Sequence, residues 1–209
     1  TTGEPWVKVG VFDAAVDGRH VDLGGSSSSF NPNKVKGWDF ENSYDVEQYV
    51  TQVQGVSGYS HHGTAMAGII GSLRDNNTGI AGIAGGDVDD QANDGVTLFS
   101  CRVLDEVQTW IDAYTIIRSI FNTTVAPATQ GEPYWYGLDI MNNSYSFVSY
   151  PLPLSSPLIV AQYNKIILLR DAVHYANRVG VIFVASRGAG HSNALTYPAC
   201  YNDSWVINV

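Results

Sequence analysis

The sequence predicts an α/β fold: a mainly parallel twisted sheet with helices on both faces. Three observations carry that prediction. Short β-branched runs alternate with helical patterns along the chain, and those runs are apolar almost throughout, as in strands buried on both sides. Of the 209 residues, 44% are hydrophobic and only 15% charged, which supplies a sizeable core and excludes general disorder or a coiled coil. The length suits one full-sized domain or part of a larger one, so residues 1–209 are read as a single domain.

The first strand is expected at Val7–Phe12, followed by the polar loop Gly24–Lys34. His62–Leu73 (HGTAMAGIIGSL) starts at a glycine turn and is rich in small residues, which predicts a tightly packed helix. A second loop spans Ala84–Gly95 and a second strand Val96–Leu104. Asp105–Phe121 then carries Val107, Trp110, Ile111, Tyr114 and Ile117 at helical spacing. Strand Leu138–Ser144 leads to the Pro-rich stretch Ser149–Pro157, read as a loop. The long helical pattern Ile159–Gly180 is closed by its glycine, and strands Gly180–Ser186 and Ser204–Val209 follow. No internal repeat or domain boundary interrupts this order.

Eleven basic against 20 acidic residues leave a net charge of -9, which argues against nucleic acid or an anionic membrane as partner. No apolar run approaches the roughly 20 residues of a membrane span, and TTGEPWVKVG lacks a signal-peptide core. The chain therefore reads as a mature protein or an excised piece. Cys101 and Cys200 make no disulfide framework and no CxxC metal pattern. They are read as free thiols, with one bridge between them the alternative.

The most informative string is YSHHGTAMAGIIG, where His62 immediately precedes Gly-Thr at the mouth of the small-residue helix. Asp13 ends the first apolar strand, at the edge where open parallel sheets present their functional groups. A carboxylate there either caps the next turn or takes part in catalysis. Together VGVFDAAVDGRHVDL and HHGTAMAGII, with the acid 49 residues before the histidine, resemble the aspartate and histidine motifs of the subtilisin-like serine proteases. The similarity continues through LRDNNTGIAGIAGG, VTLFSCRVLD, LDIMNNSYS, GVIFVASRGAGHS and TYPACYNDSWVINV, in the family's order.

This resemblance implies a subtilisin-like fold and peptide-bond hydrolysis by acyl transfer. A serine attacks the carbonyl, His62 moves its proton, and Asp13 orients His62 and stabilises its imidazolium. The family's Gly-Thr-Ser-Met-Ala motif is absent, and in GTAMA (Gly63–Ala67) Ala65 stands at the serine place, so no serine is assigned. Ala189 falls where the resemblance puts the side-chain donor of the oxyanion hole. Loss of such a donor raises a barrier by about 2.7–4 kcal/mol. Ala14 and Ala15 replace the small polar residue and glycine that usually follow the aspartate.

Three accounts stay open: a subtilase shortened at both ends, with its serine on another segment or a second chain; a variant made or selected to be inert; and a natural pseudoprotease that binds peptide without cleaving it. The expected partner is a peptide or protein substrate, and the expected location is secreted or extracellular. By the same resemblance, Asn143, Ser144, Tyr145 and Ser146 run beside the substrate and pair with its backbone. The resemblance also implies a structural calcium ion, held by the side chains of Asp22 and Asn76 and the carbonyls of Arg74, Thr78 and Ile80.

Asn-x-Ser/Thr strings begin at Asn76, Asn122, Asn142 and Asn202 and are a weak signal for glycosylation. His61 reads as a solvated neighbour, and His20, His174 and His191 form no ligand set. The glycine-rich GIAGIAGG and RGAG stretches raise a nucleotide-binding domain as a rival, but neither is GxGxxG between strand and helix.

Overall fold

The computed structural model describes residues 3–42, 44–45, 60–90, 94–104, 113–124, 136–150, 157–188, 195–201 and 204–209. Among these residues nine strands lie in this order: β1 (Lys8–Asp13), β2 (Val35–Asp39), β3 (Tyr44–Asp45), β4 (Thr97–Arg102), β5 (Ile140–Asn143), β6 (Phe147–Tyr150), β7 (Ile182–Ala185), β8 (Leu195–Tyr197) and β9 (Val206–Asn208). The α-helices among the described residues are α1 (Ser60–Gly71), α2 (Ala113–Thr124) and α3 (Pro157–Arg178).

Seven strands form one sheet in the order β3-β2-β4-β1-β5-β7-β9, parallel except for the β2–β3 pair. β6 and β8 make a separate antiparallel pair. The near-continuous apolar runs are explained by burial on two sides. Val9 and Val11 of β1 and Leu98 of β4 face a layer that includes Ala67 of α1, while Phe12, Phe99 and Cys101 face a larger one with Ile116 and Ile120 of α2 and Leu169 and Val173 of α3. Side chains alternate between these layers because the strand period is two.

α1 lies close because its contact positions are small. A Cβ added to Gly71 would meet Leu98 Cδ1 at 3.1 Å, and one added to Gly63 would sit 2.1 Å from the Ala15 carbonyl oxygen. α3 stops at Arg178, and Gly180 (φ 95°) supplies the left-handed residue that reverses the chain into β7.

Four strands were not expected. β2, Val-Lys-Gly-Trp-Asp, alternates buried and exposed positions instead of forming an apolar run, and Lys36 faces solvent. It holds its place through five-residue parallel register with β4. β3 is a two-residue strand, and β6 and β8 are likewise short and pair across a long sequence separation. The stretch Ser149–Pro157 is therefore not all loop: Ser149 and Tyr150 end β6, and Pro157 opens α3, where a proline suits the first helical turn.

In α2 the expected stripe needs correction. Tyr114 is 66% exposed, and the buried apolar positions are Ala113, Ile116 and Ile120, spaced three and four residues apart. Tyr114 scores as apolar in a periodicity count, but its hydroxyl makes an exposed position cheap. Val107, Trp110 and Ile111 lie outside the described residues.

Candidate active site

Parallel strands put their carboxyl ends on one edge of the sheet, and register decides what meets there. Asp13 of β1 stands beside Arg102 of β4, which in turn stands beside Asp39 of β2. On the other side Phe12 pairs with Asn143 of β5, and Asn143 pairs with Ala185 of β7. Asp13, Asn143–Ser146 and Ser186–Gly188 are thus neighbours in space although spread over most of the sequence.

Asp13 is wholly buried, and its carboxylate is engaged at both oxygens. Oδ1 accepts the Ala14 N–H at 2.7 Å, and Oδ2 lies 2.7 Å from Nδ1 of His62. His62 projects from the first turn of α1 with its side chain 45% exposed. Asp13 at Nδ1 fixes the tautomer with the proton on that nitrogen, leaving Nε2 to act as a base. The hydrogen bond to Asp13 raises the His62 pKa above its ordinary value; burial opposes the rise and the Asp13 charge adds to it. His61 is exposed beside it.

The segment Asn143–Ser146 divides by side. Asn143 is buried and donates Nδ2 to the carbonyls of Met141 and Val184, at 3.3 and 3.2 Å. Tyr145 is also buried, with its hydroxyl donating to Asn143 Oδ1 at 3.0 Å. Burial, with the nearby Asp13 carboxylate, pushes the Tyr145 phenol far above its usual value. Ser144 accepts Asn142 Nδ2 at 2.8 Å, and a Cβ on Gly188 would come 3.0 Å from Ser146 Oγ. The two serines are half-buried, so they and the backbone are what this strand end offers to a ligand. Ala189 lies outside the described residues.

Two neighbouring features carried no sequence signal. Arg102 and Asp39 form a buried ion pair, with Arg102 Nη1 2.9 Å from both Asp39 oxygens. Ser100 Oγ and Thr64 Oγ1 accept the N–H groups of Val16 and Asp17, each at 2.9 Å. Strand register brings the first pair together, and the packing of the turn after β1 on α1 and β4 the second; no local pattern encodes either.

Away from this edge, Asp22 is buried under the loop that follows α1. Its Oδ1 accepts Asn76 Nδ2 at 3.1 Å and its Oδ2 the Ile80 N–H at 2.9 Å, while Asn76 Oδ1 accepts the Thr78 N–H. The Arg74 carbonyl accepts the Val88 N–H. Among the described residues no cluster of three or more His, Cys, Asp or Glu side chains forms a metal site. Cys101 and Cys200 are both free, and burial raises both thiol pKa values. His20 accepts the Asp22 N–H, and His174 stacks on Trp205 with ring centroids 3.8 Å apart.

A family model described as "Subtilase family" matches residues 5–209. The chain belongs to the subtilase family. This subtilase is 28% identical over 202 residues to thermitase of Thermoactinomyces vulgaris, a match that takes in 96% of the chain and 53% of thermitase. Among solved structures it is similar to a prenylagaramide maturation protease, at a TM-score of 0.64 and 18% identity, covering 100% of this chain and 54% of the other. The nisin leader peptidase of Lactococcus lactis gives 0.58 and 19%, over 100% and 56%. At these identities the structural likeness shows the fold. The subtilase chain spans about half the length of the curated relative it matches.

Proposed function

We propose that this subtilase chain supplies the acid and base of a serine endopeptidase that hydrolyses peptide bonds in peptide or protein substrates. The observation that carries the reading is the 2.7 Å contact between buried Asp13 and His62 Nδ1. It leaves Nε2 to accept the proton of a serine hydroxyl as that oxygen attacks the carbonyl, and to return it to the leaving amine. In this reading the nucleophile is a serine of another segment, on the same polypeptide or on a second chain. A substrate strand lies along Ser144 and Ser146, bound through its main chain. A secreted location is part of this reading.

The test extends the chain with the coding sequence that follows Val209 and measures hydrolysis of a fluorogenic peptide library. Turnover that vanishes in His62→Ala supports the reading. No Gly-Thr-Ser-x-Ala motif on the extended polypeptide or on any chain that co-purifies with it, and no turnover, would defeat it. Ala189 at the oxyanion position favours a second reading, an inert member of the fold that only binds peptide. Peptide binding without turnover in the extended chain would select it.

Calcium belongs to the same reading. The Asp22 carboxylate, the Asn76 amide oxygen and the carbonyls of Arg74, Thr78 and Ile80 are the hard oxygen donors calcium takes. Gly79 (φ 53°) leaves the cradle open, since a Cβ there would fall 2.3 Å from Asp22 Oδ2. These residues would hold the ion, which would brace the loop after α1, away from Asp13 and His62.

A further inference from the structure

The turn after Asp13 is held in an unusual way. Its N–H groups go to side chains: Ala14 to Asp13 Oδ1, Val16 to Ser100 Oγ and Asp17 to Thr64 Oγ1. Thr64 lies two residues beyond His62 on the same helical turn of α1, so the Asp17–Thr64 bond ties the acid's turn directly to the base's helix. Where the two backbones touch, Gly63 packs on the Ala15 carbonyl so closely that a Cβ would sit 2.1 Å from that oxygen and 3.1 Å from Asp13 Cβ. Ala15 itself is wholly buried at φ 148°, a conformation L-residues rarely adopt and one that persists only where surrounding contacts enforce it.

We infer that Thr64 is a positioning residue: by accepting the Asp17 N–H it clamps the Ala14–Asp17 turn against α1 and sets the spacing of Asp13 and His62. Without this bond, the strained turn is free to relax away from Gly63, carrying the Asp13 carboxylate with it. A hydrogen bond between carboxylate and imidazole weakens steeply with distance and angle, so a small retreat is enough to lose it. The inference rests on Asp13 and His62 acting as a pair and does not depend on a serine.

The experiment uses the chain as it stands and follows the His62 ring by NMR as pH is varied. The other charged groups nearby are Arg102, beside Asp13 on β4 and paired with Asp39; Asp17, held by Arg19 through Nε at 3.0 Å and Nη2 at 3.2 Å; and the neighbouring His61, assigned separately. Thr64→Val keeps the side-chain shape and removes the acceptor; Thr64→Ser keeps the acceptor. The expected result is a His62 pKa that falls toward the ordinary imidazole value in Thr64→Val, with faster exchange of the Asp17 amide, and stays at the wild-type value in Thr64→Ser. A Thr64→Val protein that exchanges the Asp17 amide faster yet titrates His62 as wild type overturns the inference. So does a Thr64→Ser protein with a lowered His62 pKa, which keeps the test decisive even where Thr64→Val does not fold. Wild-type protein in which His62 titrates as an ordinary imidazole would instead sink the acid–base pairing itself.

Discussion

Arg102 and Asp39 share a buried ion pair in which one guanidinium nitrogen lies 2.9 Å from both carboxylate oxygens, and register puts Arg102 next to Asp13 as well. Asp39 also accepts the N–H groups of Glu41 and Asn42, each at 2.9 Å, and so closes the turn that leaves β2. Arg102→Met leaves that carboxylate buried without its cation and is expected to destabilise the fold by about 3 kcal/mol, the low end for a broken buried pair because backbone donors remain. Urea unfolding checks this. The double variant with Asp39→Asn should recover part of the loss, and a single variant as stable as wild type would show the pair to be energetically idle.

The pH dependence of the Asp13–His62 pair has a definite sign. The folded pKa of His62 is raised, so its contribution to stability is fully present below the unfolded value of about 6.5 and is lost as pH climbs through the folded one. Asp13→Asn removes the main cause and leaves the opposing effect of burial, so His62 should then titrate below about 6.5. An NMR titration of both proteins decides it; equal His62 pKa values would contradict the prediction.

Lys34 behaves in the opposite sense. It is buried, donates to the carbonyls of Gly85 and Val96, and is lowered to about 8 by burial, partly offset by the Asp94 charge. Between about pH 8 and the unfolded value of about 10.4 the unfolded chain binds more protons, so this group makes stability rise with pH. Lys34→Met should abolish that rise. Chemical denaturation of both proteins at pH 7.5 and 10 isolates the Lys34 part as the difference between them, and a slope unchanged by the substitution would refute the assignment.

Ala15 at φ 148° predicts a stabilising substitution. Strain at such a residue costs about 1–3 kcal/mol, and a glycine loses about 0.5–1 kcal/mol more chain entropy on folding, so Ala15→Gly should gain about 1 kcal/mol. Differential scanning calorimetry would register a higher Tm. A lower Tm would mean that the turn is not strained at this position.

If calcium is held at Asp22, chelation should lower the Tm of the wild type, because a ligand bound only by the native state stabilises it by mass action. Asp22→Ala should melt lower and show no further response to chelator. Equal chelator sensitivity in both proteins would remove this loop from consideration.

The strands and helices that pack on both sides were legible because their residues repeat with the right period. β1, β4 and β7 fall in apolar runs, and α3 ends before Gly180, whose left-handed backbone the turn requires; α1 instead starts at Ser60, so Gly63 lies inside the helix and is not a turn that opens it. β2 was not, since Val35–Asp39 alternates around a lysine and a glycine and becomes a strand only by pairing with β4. Tyr114 misled the reading of α2 because an aromatic ring counts as apolar while its hydroxyl tolerates water.

The same division runs through the site. Asp13 at a strand end and His62 before Gly-Thr at a helix mouth could be named from the chain alone, because each motif is local. That their side chains meet at 2.7 Å, that Asn143 and Tyr145 turn inward while Ser144 and Ser146 face out, and that Arg102 joins Asp39 beside the acid were decided by tertiary structure. Sequence determines which residues favour a strand, a helix or a turn, since those preferences act over a few neighbours. Contact between residues 49 or 63 positions apart depends on which strands lie side by side and in what register, and that is settled only when the whole sheet buries its two faces at once.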